Sequence, residues 1–481
     1  MHLVDIRRTG FGPIGAGRRL GINLNHLTDG ADRSPARSLA DAVRELRVAW
    51  LRFPGGEKAD AYMWSRPPFD TPKPYCCRTG PGQAGEVFGR FIDEDGAYSC
   101  DTLAFDEFVR LCRMLDAEPI IVVACDSYNK DVPDTGTKPT REELIDNART
   151  WVRYANVTRG YGIRYWEIGN ECYLDSYNGA LTATQYALDV LEFSRAMRSE
   201  DPSIRIGANG PNGTDAVGAL DKSTGTRWWE CVLHRAAGSI DFISIHDYPC
   251  MEWMSFDAYA AVGRGLPEIV DQARACLREY CTREDAQRIK IAITETNSAD
   301  WYGHPQNSGW RHENSIGHAI VLLDILGGHM IDPDLLCTIL WNTRWIHNDS
   351  PGTPELWDAL RSDNSFNPTG VVVSVLGRYA ADQIGRVDTP SPLTAFIGVS
   401  GRRATLLVAN RSVEPQTFRV HGVPPATYAR YEEFSGQSPD DTAPSWTTRR
   451  TSELDGSIVA PGASLLVLPL GEAAALTPPK T

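Results

Sequence analysis

Eight short apolar runs, each closed by polar, charged or glycine residues, are spread over residues 21–343 with helical stretches between them. They are GINLNHL (21–27), VAWLRFPGG (48–56), PIIVVACD (119–126), IRYWEIGNE (163–171), IRIGANG (204–210), FISIHDYP (242–249), KIAITETN (290–297) and CTILWNT (337–343). Several are continuously apolar, the pattern of strands covered on both faces. The stretches between them, such as 35–47, 103–115, 140–155, 182–198 and 311–326, carry apolar residues at helical spacing, as in Leu39, Val43 and Leu46. Eight strand–helix alternations predict an α/β fold, a (β/α)8 barrel, whose strand ends gather on one face. An open doubly wound sheet is the competing arrangement. The closing residues are Asn25-His26, Arg52 with Pro54-Gly55-Gly56, Asp126, Asn170-Glu171, Asn209, His246 with Tyr248, Glu295 and Trp341-Asn342. A purely structural barrel has no need to collect such groups at one end.

After residue 370 the pattern becomes short extended segments separated by Gly, Pro and Ser, such as RATLLVAN and SLLVLPL. These read as a C-terminal antiparallel β-sandwich. The expected organisation is an N-terminal segment 1–17, a candidate to add a strand to the sandwich, a catalytic barrel over 18–370 and the sandwich over 371–481. Charge supports two units. The chain carries 48 Lys+Arg against 62 Asp+Glu, a net −14, while 371–481 holds ten of each. The acidity therefore falls on the barrel. It disfavours nucleic acid and anionic membranes as partners, since both attract basic surfaces. No run of about 18 apolar residues is present to span a bilayer. The start, MHLVDIRRTG, has no apolar signal core, so either a cytoplasmic protein or a secreted one lacking its signal peptide is expected. Oligomeric state, homo-oligomers included, stays open.

Two carboxylates carry the chemistry. Glu171 closes the fourth run and Glu295 the seventh. A charge placed directly after an apolar strand is costly unless it is paired or used. Two of them on one barrel face form the pair that glycoside hydrolysis needs, one acid and one ionised carboxylate. His246 and Tyr248 are two residues apart and point to the same side of their strand. Trp341 ends the eighth run, where an aromatic face can stack on a sugar. Trp64, Trp301, Trp310 and Trp345 follow strands and are further stacking candidates. The Pro/Gly-rich segment 57–100 should overhang the same face.

The motifs Arg52-Phe53-Pro54-Gly55-Gly56, Gly169-Asn170-Glu171 and the Glu295 strand resemble those of the clan A retaining glycosidases on (β/α)8 barrels. Within that clan the chain is most similar to the α-L-arabinofuranosidases of glycoside hydrolase family 51, which also carry a C-terminal sandwich. The resemblance implies double displacement. Glu295 would be the nucleophile and Glu171 the acid/base. Asn170 would hold the sugar 2-hydroxyl, Arg52 would keep Glu295 ionised, and Tyr248 would hydrogen-bond Glu295. Two positions depart from the family. Asn25 stands before His26 where the family has Glu, and Glu57 follows Pro-Gly-Gly where it has Asn. The acid and the amide are exchanged, so a hydroxyl-binding pair is expected to persist while the sugar it recognises stays open.

The expected function is a retaining glycosidase acting on an oligosaccharide or polysaccharide, with a non-reducing-end α-L-arabinofuranoside as the first substrate. The same chemistry on a β-xyloside, a β-glucoside or an internal polysaccharide bond is the alternative. A non-catalytic carbohydrate-binding barrel is a remote one, because decay usually removes one of the two carboxylates. No cofactor and no metal are expected. His312, His318 and His329 lack the HxH or HExxH spacing of metal sites. The glycines of 10–15 precede a strand instead of following one, which argues against a dinucleotide loop.

Overall fold

The computed structural model describes residues 2–8, 12–13, 19–30, 37–77, 91–93, 95–99, 101–129, 138–174, 180–212, 225, 227–249, 255–262, 267–299, 313–345 and 356–473. Trp301, Trp310 and His312 lie outside these residues. Eight parallel strands close a barrel: β1 (Leu20–Asn23), β2 (Trp50–Phe53), β3 (Glu118–Val123), β4 (Tyr165–Ile168), β5 (Arg205–Asn209), β6 (Phe242–Asp247), β7 (Lys290–Thr296) and β8 (Leu335–Leu340). Each pairs with its sequence neighbour, and β8 returns to β1 through Thr338↔Leu20, Ile339↔Gly21 and Leu340↔Ile22. All eight apolar runs therefore became barrel strands.

The helices are set by apolar stripes and local caps. Leu39–Leu46 buries Leu39, Ala42, Val43 and Leu46, and the Ser38 side chain accepts from the Asp41 amide. Arg141–Val152 opens with a capping box between Thr140 and Glu143. Ile316–Met330 is buried almost all round. It packs against the barrel strand β8, the helix Pro368–Tyr379 and several sandwich strands. Its buried Asp324 pairs with Arg386 at 2.7 Å and with Arg411, so a barrel helix is tied to the sandwich by charge. Burying such a carboxylate unpaired would cost several kcal/mol, roughly. Among the described residues no helix is long and apolar enough to cross a membrane.

The C-terminal part stacks two sheets. The larger runs in the order Ser445–Arg450, Arg430–Ser435, Ser464–Glu472, Arg403–Asn410, Leu393–Ser400, Gln383–Val387 and Gly12–Pro13. The smaller is His2–Asp5, Gln416–His421 and Ile458–Ala460. His2–Asp5 runs parallel to Gln416–His421, the remaining pairs antiparallel. Alternate residues, including Val4, Phe418, Ile458, Ile397, Leu406 and Leu468, share one apolar core between the sheets.

Candidate active site

The site is built where the barrel strands end. After β4 the chain turns sharply: Gly169 has φ +72° and Glu171 φ +47°. A side chain at Gly169 would collide with Cys172, so glycine is required there on two counts. Glu171 bears the strain of a left-handed non-glycine residue, about 1–3 kcal/mol. Two carboxyl and amide groups hold the turn. Asp60 Oδ1 accepts from the Asn170 amide at 3.1 Å, and Asn209 Oδ1 accepts from the Glu171 amide at 2.7 Å.

Arg52 occupies the centre, fully buried. It makes five hydrogen bonds, matching the five N–H groups of a guanidinium. Nε donates to Glu167 Oε2 at 2.8 Å and Nη2 to Glu167 Oε1 at 3.3 Å. Nη1 donates to Asn23 Oδ1 at 3.1 Å and to Glu295 Oε1 at 2.9 Å. Nη2 also donates to Asn170 Oδ1 at 2.8 Å. Burial works against the charged guanidinium, but Glu167 and Glu295 outweigh it and raise its pKa. Arg52 is permanently cationic.

Glu295 is held on both oxygens, Oε1 by Arg52 and Oε2 by the Tyr248 hydroxyl at 2.9 Å. Burial raises its pKa and the Glu171 charge adds to the rise, while His246, Arg52 and the Tyr248 hydrogen bond pull it back. His246 Nδ1 bridges the two carboxylates, 2.8 Å from Glu171 Oε1 and 3.6 Å from Glu295 Oε2. Burial opposes its protonation, but Glu295 and Glu171 overcome this and raise its pKa. A bulge in the β6–β7 pairing sets this contact. Ile245 pairs with Ile293 and the next residue, His246, pairs with Glu295, skipping Thr294.

Glu171, His246 and Glu295 each place one donor atom within 4.8 Å of the others, and Asp60, Asp126 and Cys172 form a second such group. The first trio could hold a cation by donor type. The Arg52 guanidinium at 2.9 Å already supplies positive charge to Glu295, and Tyr248 takes its other oxygen. In the second trio Asp60 is engaged in holding the Asn170 backbone.

Six of the sequence-predicted residues thus converge: Glu171, Glu295, Asn170, Arg52, His246 and Tyr248. Trp341 lies beside them, 2% exposed, its ring 5.6 Å from that of Trp345. Its six-membered ring lies against Gly56, whose φ is +44°; a Cβ there would run into the indole. Gly56→Ala is expected to destabilise by about 2–4 kcal/mol, from overpacking plus the left-handed backbone. Calorimetric melting checks this; an unchanged midpoint would mean that Trp341 packs elsewhere. Asn25 is turned to the backbone, donating to the Arg344 carbonyl at 3.2 Å and accepting from the Leu27 amide at 3.2 Å. Glu57 is half-exposed, 3.8 Å from Lys58 Nζ, and that ammonium lies 3.6 Å above the Trp345 ring. Trp64 is packed away from the rim, stacked on Tyr154 and bonded to Thr150 Oγ1 at 3.2 Å. His318 and His329 are buried in the layer behind the barrel, the latter 2.9 Å from Asp247.

Sequence reasoning missed Glu167, Asn23 and Asp60. Glu167 had a signal, a lone acid inside an otherwise apolar strand. Asn23 and Asp60 had none, because their importance depends on partners 29 and 110 positions away. The buried polar atoms without a hydrogen-bond partner among the described residues include Trp341 Nε1, His246 Nε2 and the Asn342 side-chain amide.

The chain overlays on the crystal structure of alpha-L-arabinofuranosidase from Thermotoga maritima, an arabinose complex, over 98% of this chain and 99% of that one, with a TM-score of 0.66 and 18% identity. That likeness establishes the fold. Residues 42–248 match the family model of the alpha-L-arabinofuranosidase 1 domain. This stretch runs from before β2 to the end of β6, so it includes Arg52, Asn170, Glu171, His246 and Tyr248 and stops short of Glu295. The chain is 26% identical over 238 residues to the probable alpha-L-arabinofuranosidase C of Aspergillus fumigatus, covering 44% of this chain and 40% of that protein. It is 25% identical over 287 residues to the intracellular exo-alpha-(1->5)-L-arabinofuranosidase of Streptomyces lividans, covering 55% and 38%. The chain thus spans 38–40% of the length of these two relatives. The resemblance to the α-L-arabinofuranosidases that the motifs carry is present in the family model and in these relatives.

Proposed function

We propose that this protein is a retaining O-glycosidase working by double displacement, with a non-reducing-end α-L-arabinofuranoside as its first substrate. The carrying observation is the pair Glu171 and Glu295, with oxygens within 4.8 Å of each other across His246. Close-set carboxylates suit covalent catalysis, whereas inverting enzymes need room for a water between them. Glu295, oriented on both oxygens, would attack the anomeric carbon. Its buried setting keeps the carboxylate poorly solvated and therefore reactive. Glu171, which is part-exposed, would protonate the leaving oxygen and then deprotonate the incoming water. Asn170 has its carbonyl oxygen taken by Arg52, which leaves its NH2 group to donate to a sugar hydroxyl. The arabinofuranosidase family model and relatives support the choice of sugar.

A second reading keeps the chemistry and changes the sugar to a β-xyloside, a β-glucoside or an internal polysaccharide bond. It is favoured by Asn25, whose side chain is spent on backbone groups, and by Glu57, which faces Lys58. Turnover of 4-nitrophenyl α-L-arabinofuranoside, β-D-xyloside, β-D-glucoside and β-D-galactoside decides between them. The first is expected to be hydrolysed fastest, with the product released in the substrate's anomeric configuration by NMR. Inverted product would end the double-displacement proposal. Preference for another glycoside would move the protein to the second reading.

A further inference from the structure

Glu167 sits inside β4 with no solvent exposure. Its carboxylate is gripped from four other strands. Arg52 on β2 donates twice, Asn209 on β5 at 3.3 Å, Ser244 on β6 through its hydroxyl, and Thr294 on β7 at 3.4 Å. A guanidinium is planar and rigid. With its Nε–Nη2 edge clamped by Glu167, its remaining N–H groups can only point where they do, to Asn23, Glu295 and Asn170. We propose that Glu167 is a positioning residue for the reaction at Glu295: it locks the plane of Arg52 and divides that cation's charge, so that Glu295 is held in place yet stays nucleophilic. A carboxylate facing an unshared guanidinium would be a weaker base and a poorer nucleophile.

The inference rests on the reading of Glu295 as nucleophile. Its sign follows from the charges around the two acids. Glu295 faces Arg52, His246, Glu171 and Tyr248. Glu167 faces Arg52, and its charge is felt by Cys337 on β8 and by Tyr186 on the helix Ala183–Glu200. Neutralising Glu167 therefore removes a negative charge near Glu295 and frees the whole of Arg52 for it. Both effects make Glu295 more acidic.

The test is Glu167→Gln, with folding checked by near-ultraviolet circular dichroism and melting, assayed on the 4-nitrophenyl glycoside that the wild type turns over best. The acid limb of kcat/KM against pH is expected to move down by about one unit, and the plateau to fall by roughly 10–100-fold. Glu167→Asp keeps the charge on a shorter arm. It should leave the limb within about 0.3 unit of the wild type and lower the plateau alone. An unmoved limb in folded Glu167→Gln, or an equal shift in Glu167→Asp, overturns the proposal. If Glu167→Gln does not fold, Glu167→Asp decides alone: a wild-type plateau overturns the proposal, and a lowered plateau with an unmoved limb supports it. Failure of the underlying reading is seen separately, as retained turnover in Glu295→Gln.

Discussion

Glu295→Gln is expected to lose at least about 10⁴-fold in kcat on every glycoside the wild type cleaves, ~5.5 kcal/mol of transition-state stabilisation. The substitution keeps the shape of the side chain and removes the charge that the proposed mechanism uses for attack. An amide cannot form the glycosyl–enzyme ester. The fold should survive, because Arg52 keeps the Glu167 carboxylate on two of its N–H groups and can still donate to the new amide oxygen. Substrate binding should change little, since the proposed hydroxyl donor Asn170 is untouched. Stopped assays on the 4-nitrophenyl glycosides, with melting as the control for folding, check this. Turnover within tenfold of the wild type would remove Glu295 from the mechanism.

Glu171→Gln should produce a loss that depends on the leaving group. A 4-nitrophenolate leaves with little help, so kcat/KM on that substrate should fall less than about tenfold. An alkyl or sugar leaving group needs the proton and should lose roughly 10²–10⁴-fold. Because the proposed second half-reaction uses Glu171 as base whatever left in the first, the activated substrate should show a burst of one equivalent per enzyme followed by slow turnover. The variant also takes away one of the two carboxylates that raise the His246 pKa, leaving Glu295 to do so. Equal losses on both substrate types, without a burst, would deny Glu171 its acid role.

The barrel was legible because its strands are short apolar runs of a type that survives only when covered on both faces. The polar residue ending each run marked the face on which these side chains converge without any tertiary information. Glu171, Glu295, Arg52, Asn170, His246 and Tyr248 were readable for this reason. Asn25 and Trp64 were less so, since a strand-end or loop position does not say which way a side chain turns. In the fold, Asn25 caps its own loop and Trp64 stacks on Tyr154.

By itself, then, the sequence determined the architecture and the chemical inventory. Period, apolar runs and chain order are local properties, and a local pattern suffices to state them. The tertiary structure decided which groups share charge. That Arg52 stands between Glu167 and Glu295, and that His246 bridges Glu171 and Glu295, depends on strands 115 and 243 positions apart and on a one-residue bulge in β6–β7. Electrostatic coupling falls off over a few ångströms and is magnified by burial. Only the packed barrel brings these residues within that range.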